Sequence, residues 1–182
     1  MSATSQLSRV AGLALGYLAG RMIEQPLRRK PVEGFERVST AIEDRTYADD
    51  ANWGTVHTAT VVGGIAVAGL AVERLTRNVP VLHALATAAA TAVVLEGGPD
   101  DEPRPARAVI GPLIWGAAFG IPGLLGYRAA HVVADQIGTG DEKYASFGRS
   151  AILLRDLLDW LPNQLTEIVE DSAANSRPNP PR

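Results

Sequence analysis

Few residues in this chain combine the side chains and the spacing that metal or phosphate chemistry requires. The three histidines, His57, His83 and His131, stand far apart and match no ligand spacing of a zinc site. Two of them fall within apolar stretches, where a histidine either contacts a neighbouring helix or binds a metal. We interpret each of the three as a helix-contact residue.

Other motifs that could carry chemistry are incomplete. The acidic run of Asp100, Asp101 and Glu102 is able to bind a cation, but it is more typical of a solvated loop. Gly138 and Gly140 begin a glycine-rich phosphate motif that the acidic residues after them do not continue. The chain has no cysteine, which excludes thiolate metal sites and a cysteine nucleophile. No metal site is therefore predicted.

The elements that position these residues are apolar and poor in aromatic side chains. Hydrophobic residues make up 46% of the 182-residue chain, but aromatic residues make up only 5%. This length predicts one domain, and the mixture of glycine with small aliphatic residues favours closely packed helices. A net charge of −3 with scattered Lys and Arg excludes the basic surface that a nucleic-acid partner requires.

Four apolar stretches are candidate membrane spans. They cover residues 10–20, 54–72, 78–95 and 108–127, and the last three contain no Asp, Glu, Lys or Arg. A span needs about 20 mostly apolar residues, so these three qualify and the first is marginal. We interpret the first as an uncleaved span rather than a signal peptide, because no small-residue cleavage site follows it. Pro112 and Pro122 predict that the fourth is kinked, or enters the membrane and returns.

Small residues recur every four positions within these stretches. In lipid, helices associate where small side chains let their backbones approach closely, so this spacing predicts a compact bundle. An alanine-rich sequence also produces such spacings by chance, above all in the third stretch. The pattern occurs as Gly12, Gly16 and Gly20, as Gly64 and Ala68, as Ala84, Ala88 and Ala92, and as Gly116 and Gly120.

Polar segments connect the apolar stretches. Residues 24–53 predict a helix at the membrane surface, with Phe35, Val38 and Ile42 on one side, and residues 96–107 predict a loop. Further on, leucines at helical spacing predict an amphipathic helix along the interface or against the bundle, interrupted near Pro162. Its leucines are Leu153, Leu154, Leu157, Leu158, Leu161 and Leu165, opposite Arg155, Asp156, Asp159 and Glu167.

Together these features predict an all-α integral membrane helix bundle of about four spans, plus a surface helix and a C-terminal amphipathic helix. The membrane domain would cover residues 1–171, followed by a disordered tail at residues 172–182. We expect a multi-pass protein of the cell membrane whose partner is membrane lipid. The alternative is a soluble, alanine-rich bundle, although buried helices of soluble proteins seldom reach this length without a charge.

A resemblance to a known family is carried by residues 110–166. IGPLIWGAAFGIPGLLGYRAAHVVADQIG, followed by KYASFGRSAILLRDLLDWLPNQLT, closely resembles the carboxy-terminal half of the adenosylcobinamide-phosphate synthase family, known as CobD or CbiB. Near the amino terminus, Pro26, Pro31, Val32, Gly34 and Phe35 match the family's opening segment, so the resemblance covers most of the chain. The later matches are Pro112, Leu113, Trp115, Gly116, Pro122, Gly123, Tyr127, Arg128, Ala129, Gly138, Tyr144, Phe147, Gly148, Asp156, Trp160, Pro162, Leu165 and Thr166.

The chain departs from the family mainly at polar positions. Gln25 and Lys30 replace an acidic residue and a histidine of the opening segment. A long soluble region, which in the family ends in a motif rich in Glu, Asn and Asp, is reduced here to the loop of residues 96–107. His131 stands where the family has an asparagine, and Asp135 comes one residue late. The resemblance therefore indicates a shortened member that keeps the fold better than the chemistry.

The resemblance implies a role in cobalamin biosynthesis. Family members join an amino-alcohol such as aminopropanol, or its phosphate, to adenosylcobyric acid through an amide bond. We expect ATP and a divalent cation as cofactors only if this ligase activity is retained. No catalytic residue is assigned. The substrate-binding residues that the resemblance suggests are Tyr127, Arg128, Tyr144, Asp156 and Trp160.

Each of these five residues also has a simpler interpretation. Arg128 is equally well placed to be an interfacial anchor, Asp156 to be solvated, and the three aromatic residues to lie at the membrane interface. Two alternatives to the synthase itself stay open. The chain is a non-catalytic paralogue that binds a corrinoid or scaffolds other cobalamin-pathway membrane proteins, or it is a bundle of unrelated role that inherited only the fold.

Overall fold

The computed structural model of this protein describes residues 3–22, 25–95, 106–139 and 141–175. Within these residues all regular structure is helical and no strand occurs, which confirms the predicted all-α class. The helices are α1 (Ala3–Met22), α2 (Gln25–Thr46), α3 (Ala51–Thr76), α4 (Pro80–Val94), α5 (Ala106–Phe119), α6 (Ile121–Ile137) and α7 (Arg149–Asn175), with a short 3-10 turn at Glu142–Tyr144.

Among the helices described, α3 alone is long and apolar enough to cross a membrane. It contains the predicted stretch of residues 54–72 within its 26 residues. α4 follows the third stretch but has 15 residues, which reach about 22 Å and fall short of a hydrocarbon core of about 30 Å. α1 contains the marginal first stretch. The helix lengths thus support one full span, and the four-span bundle stays a prediction.

The fourth predicted span is two helices rather than one. α5 and α6 are separated by Gly120 alone, whose φ of +74° is a conformation that glycine adopts without strain. The helices then pack against each other in antiparallel fashion, since Gly123 lies against the Trp115 carbonyl and the Tyr127 ring reaches Gly111. Residues 108–127 therefore form a hairpin that enters the bundle and returns, the second of the two forms that the prolines predicted.

Close backbone approach through glycine occurs where α1 packs along α4. A Cβ atom added to Gly16 would lie 2.5 Å from the Ala88 carbonyl oxygen, and one added to Gly12 would lie 2.7 Å from the Ala84 carbonyl oxygen. By contrast, a Cβ atom added to Gly64 meets nothing within 4 Å in the described chain. The prediction from small-residue spacing is confirmed for α1 and α4 and is wrong for Gly64.

α2 turns Ser39 and Ile42 toward the bundle, whereas Val38 is 46% exposed. The buried ring of His57 in α3 faces α2, and its nitrogens lie 3.3 Å from the Ser39 hydroxyl and 3.1 Å from the Thr46 hydroxyl. Of the apolar residues expected together on one side of this helix, Ile42 packs against the core and Val38 does not.

α7 continues through Pro162 without the predicted interruption. A proline inside a helix leaves the carbonyl four residues earlier without its usual N–H donor. Here that carbonyl belongs to Leu158, and the indole N–H of Trp115 donates to it at 3.1 Å. α5 thus supplies the bond that the proline removes. The helix extends to Asn175, so residues 172–175 of the expected tail are helical, and the rest of that tail lies outside the described residues.

The buried side of α7 also differs from the predicted one. Leu154 and Leu158 face α5 and α6, but Leu153 and Leu157 are 62% and 69% exposed. Asp159, which was expected on the solvated side, is 7% exposed. The leucine stripe is wider than the surface that the bundle covers, so four of its six leucines stay exposed.

The close contact between α1 and α4 predicts opposite effects for two glycine substitutions. Gly16→Ala should lower the free energy of unfolding by about 1–3 kcal/mol, because its methyl group collides with the α4 backbone. Gly64→Ala should leave it unchanged or raise it slightly, since alanine favours helix by about 0.5–1 kcal/mol where space is open. Thermal unfolding in detergent measures both, and equal midpoints would contradict the packing of α1 on α4.

Candidate functional site

An apolar groove of about 450 Å³ lies between α3, the α5–α6 hairpin and α7. Gly123 and Gly126 line it from α6. The groove is lined by Val62, Ala66 and Leu70 of α3, by Trp115, Phe119 and Tyr127 of the hairpin, and by Leu154 and Leu158 of α7. The lining is aliphatic and aromatic, with one phenol group from Tyr127, so the groove suits a ligand with an apolar surface.

Glu73 of α3 holds the tip of the hairpin. One carboxylate oxygen accepts the backbone N–H of Ile121 at 2.8 Å, and the other accepts a hydrogen bond from Arg9 of α1 at 2.5 Å. Ile121 is the first residue of α6, so the carboxylate lies at the positive end of that helix dipole. Any side chain on Gly120 would collide with this carboxylate. The tip of the hairpin therefore requires a glycine at position 120, next to the ion pair between Glu73 and Arg9.

A polar network joins α6 to α7 beside the groove. The Tyr127 hydroxyl donates to one oxygen of the Asp159 carboxylate at 2.7 Å, and the carboxylate also lies 3.1 Å from Nε2 of His131. The Tyr127 and His131 rings are in contact, with centroids 4.4 Å apart. All three side chains are largely buried. Of the predicted site residues, Tyr127 is the one that both lines the groove and joins this network.

His131 has a polar partner at each ring nitrogen. Its Nδ1 lies 3.0 Å from the Tyr127 carbonyl oxygen, and its Nε2 lies 3.1 Å from the Asp159 carboxylate. His131 is therefore more than the simple helix contact predicted for it, because it also contacts a buried carboxylate of α7.

Arg128 follows Tyr127 in α6 and is 9% exposed. The carboxylates whose charges act on it are Asp135 in α6 and Glu36 in α2. This burial does not fit a side chain that anchors the bundle at the lipid–water interface, where a long cation extends toward water. A substrate role for Arg128 stays a prediction.

Asp156 and Trp160 lie on the exposed side of α7. Trp160 is 63% exposed, and the Asp156 carboxylate accepts a hydrogen bond from the neighbouring Arg155 at 3.0 Å. Neither side chain is among the described residues that line the groove. The two residues are not brought together with Tyr127, and their assignment to substrate binding stays a prediction.

Tyr144 belongs to a separate cluster at the end of the bundle where the 3-10 turn meets α2. Its hydroxyl donates to Glu43 at 2.7 Å, and the Lys143 ammonium lies 3.1 Å from the same carboxylate oxygen. Hydrogen bonds to Tyr144 and Glu43 raise the pKa of Lys143. The five predicted site residues therefore fall in three different places.

His57 and His83 make the helix contacts that the sequence predicted. His83 in α4 lies 3.2 Å from the Thr76 hydroxyl at the end of α3, and that hydroxyl donates to the Val72 carbonyl. His57 binds α2 and contacts the Phe147 ring, with centroids 5.3 Å apart. Both rings are about fully buried and have hydroxyl partners.

The described residues contain no group of three or more His, Asp or Glu side chains that could hold a metal ion. The Asp159 carboxylate is already shared by Tyr127 and His131. The acidic run at residues 100–102 and the side chains of Gln25 and Lys30 lie outside the described residues.

Comparison with known proteins identifies the segment that builds the groove. A family model described as CobD/Cbib protein matches residues 106–173, which include α5 and α6 and most of α7. This segment is therefore similar to the CobD/CbiB family. Cobalamin biosynthesis protein CobD of Mycobacterium tuberculosis strain H37Rv is 27% identical over 216 residues, covering 93% of this chain and 68% of that protein.

Shorter matches to this chain come from proteins named probable cobalamin biosynthesis protein CobD. The Pyrococcus furiosus protein is 41% identical over 61 residues, or 34% of this chain and 21% of that protein. The Methanococcus maripaludis strain C7 protein is 40% identical over 57 residues, or 31% of this chain and 19% of that protein. No solved structure gives a significant match.

The sequence analysis did not predict that Asp159 and His131 belong to one polar network. Tyr127 and His131 are four residues apart, and this spacing places both on one face of α6. The spacing alone could therefore have indicated that the two side chains are neighbours. No comparable signal marks Asp159, which sits among leucines and looks like one solvated carboxylate among several. Only the docking of α7 on α6 shows which carboxylate is buried.

The buried network predicts different effects for two neighbouring aspartates of α7. Asp159→Asn should lower the free energy of unfolding by about 1–3 kcal/mol, because His131 loses its carboxylate and the new amide group has a donor facing it. Asp156→Asn should change it by less than about 0.5 kcal/mol, since its carboxylate is exposed and bonds only to Arg155 among the described residues. Denaturant unfolding in detergent measures both, and equal losses would contradict the network.

Proposed function

We propose that this chain is a multi-pass membrane protein that binds a corrinoid in cobalamin biosynthesis. The observation that carries the proposal is that the segment matched by the family model, residues 106–173, supplies three of the four helices around the apolar groove. A corrin ring has apolar faces and amide-bearing edges. The groove offers aromatic and aliphatic walls for such a face.

Exposed apolar side chains support the membrane location. On α1, Leu7 and Met22 near its two ends are 69% and 84% exposed, and on α4 Val81 is 72% exposed. α3 carries Val67 and Leu75 at 65% and 79% exposure. A monomer in water seldom exposes so much apolar surface on adjacent helices, whereas lipid tails cover it without cost.

Changes at polar positions support a binding role rather than independent ligation. The alignment to the M. tuberculosis protein runs over 216 residues although this chain has 182, so the relative has residues within the aligned region that this chain lacks. The sequence resemblance places the shortening in the loop of residues 96–107. Ligation would require carboxylates that hold a cation and cations that hold phosphate. We therefore infer that amide formation needs a fuller family member.

The membrane location predicts how the protein fractionates. The untagged chain should sediment with membranes and stay with them through an alkaline carbonate wash, because helix burial in lipid does not depend on surface charge. Detergent should release it. Recovery in a high-speed supernatant without detergent would contradict the proposed location.

The groove predicts different effects for two adjacent leucines of α7. Leu154→Trp should weaken binding of cobyric acid by about tenfold or more, because the indole fills space between α3 and the hairpin. Leu153→Trp should leave binding unchanged, since Leu153 points outward and is 62% exposed. Spectrophotometric titration of the detergent-purified proteins measures both affinities, and the thermal midpoint of each variant checks its folding. Equal affinities in folded variants would reject the groove as the site.

The shortened polar region predicts that this protein alone replaces a full-length synthase poorly. Loss of one well-placed charge-stabilising group costs about 100- to 1000-fold in rate. Several polar positions of the family resemblance are changed together in this sequence. The test uses a strain without the synthase, fed cobyric acid and aminopropanol where growth requires cobalamin, with cobinamide as the positive control. Growth on cobinamide alone is expected. Robust growth on cobyric acid would instead make this chain a minimal active enzyme.

A further inference from the structure

One end of the bundle gathers both long polar segments that the structure describes. These segments are residues 25–50, which contain α2, and residues 141–149, which contain the 3-10 turn. The buried His57 ring near the start of α3 contacts hydroxyl groups of α2. The Tyr47 hydroxyl donates to the backbone carbonyl of Lys143 at 3.0 Å, which joins the two segments. We name this surface the α2 end.

The hairpin of α5 and α6 is the reason that the later segment returns to the α2 end. A Cβ atom added to Gly69 of α3 would lie 3.0 Å from Cα of Pro122. Further along α6, one added to Gly126 would lie 3.4 Å from Cβ of Ala66. α6 therefore runs antiparallel to α3 and ends beside the start of that helix. If residues 108–127 crossed the membrane once, the chain after them would lie at the opposite end.

The opposite end of the bundle has short connections. The turn of residues 77–79 joins α3 to α4, and a single glycine joins α5 to α6. Arg9 belongs to the ion pair with Glu73, and its side chain is 11% exposed. The exposed cations at this end, within the described part of the chain, are Arg74 and Arg77. We name this surface the turn end.

Lysine and arginine are concentrated at the α2 end. In membrane proteins the cytoplasmic segments next to the spans are enriched in these residues, whereas Asp and Glu contribute little to orientation. The anionic headgroups of the cytoplasmic leaflet attract such cations. The cations of the α2 end are Arg28, Arg29, Lys30, Arg37, Arg45, Lys143 and Arg149. The two ends of the bundle therefore differ in the property that sets membrane orientation.

We propose that the α2 end is the cytoplasmic surface of this protein and binds the anionic headgroups of the cytoplasmic leaflet. This orientation rests on the membrane location proposed above. In it, α3 runs outward from the cytoplasm, and the turn of residues 77–79 is exposed on the far side of the membrane. A cytoplasmic partner or substrate then meets the bundle at α2 and the 3-10 turn.

Cysteine labelling tests the orientation without background, because the chain has no cysteine. The single variants Asp49→Cys and Glu142→Cys place a thiol at exposed positions of the α2 end, and Asn78→Cys places one at an exposed position of the turn end. In spheroplasts of a bacterial host, a membrane-impermeant maleimide should label the Asn78→Cys variant alone. It should label the other two variants only after lysis. The reverse pattern, or equal labelling of all three before lysis, would overturn the orientation.

Sedimentation of each variant after an alkaline carbonate wash separates the orientation from the membrane location itself. Protein in the pellet with reversed labelling refutes the orientation alone. Protein in the supernatant refutes the location and the orientation together.

Removing cations of α2 tests their contact with the headgroups. Arg28→Gln, Arg29→Gln and Lys30→Gln together should lower labelling of the turn-end thiol before lysis to about half, the value expected when copies insert equally in both directions. Depletion of phosphatidylglycerol in the host should act in the same way. The control variant Arg74→Gln with Arg77→Gln should keep full labelling. If labelling stays full after both the triple change and the lipid depletion, these cations do not bind the headgroups and the proposal is wrong.

Discussion

The architecture around the groove depends on one carboxylate, that of Glu73. It binds Arg9 of α1 and caps the first backbone N–H of α6, so three segments that are distant in sequence meet at one side chain. A charged group in such a buried position is costly unless it is paired and hydrogen-bonded, and here both conditions are met. Because Gly120 leaves room for this carboxylate, the hairpin turns at a single residue and brings α5 and α6 together.

The position of α7 follows from the hairpin. Trp115 of α5 donates to the Leu158 carbonyl that Pro162 leaves without a donor, and Tyr127 of α6 donates to Asp159 one residue further on. These two bonds attach adjacent residues of α7 to opposite arms of the hairpin. Leu154 and Leu158 are thereby directed at the open space beside Gly123 and Gly126, which completes the groove.

Several residues that make these contacts also match the CobD/CbiB family resemblance. Trp115, Gly123, Tyr127 and Pro162 all match the family resemblance, and all four hold or line the hairpin and groove. His131 stands where the family has an asparagine, and its imidazole lies 3.1 Å from the buried Asp159 carboxylate. The residues that match the family thus make structural contacts here, and the altered polar residue forms an interaction within the protein.

Most of the helices could be predicted from the sequence, because apolar content and helical periodicity are local properties that neighbouring residues determine. The resemblance also pointed to the segment that the family model matches, and it suggested Tyr127, which lines the groove. Other features were decided only by the tertiary structure, because the local sequence fits two arrangements equally well. Two prolines were compatible with a kink or a hairpin, and the contact between Glu73 and α6 selected the hairpin. Asp156 and Asp159 looked alike in sequence, but α6 covers one of them, since burial depends on a partner surface that local sequence does not contain.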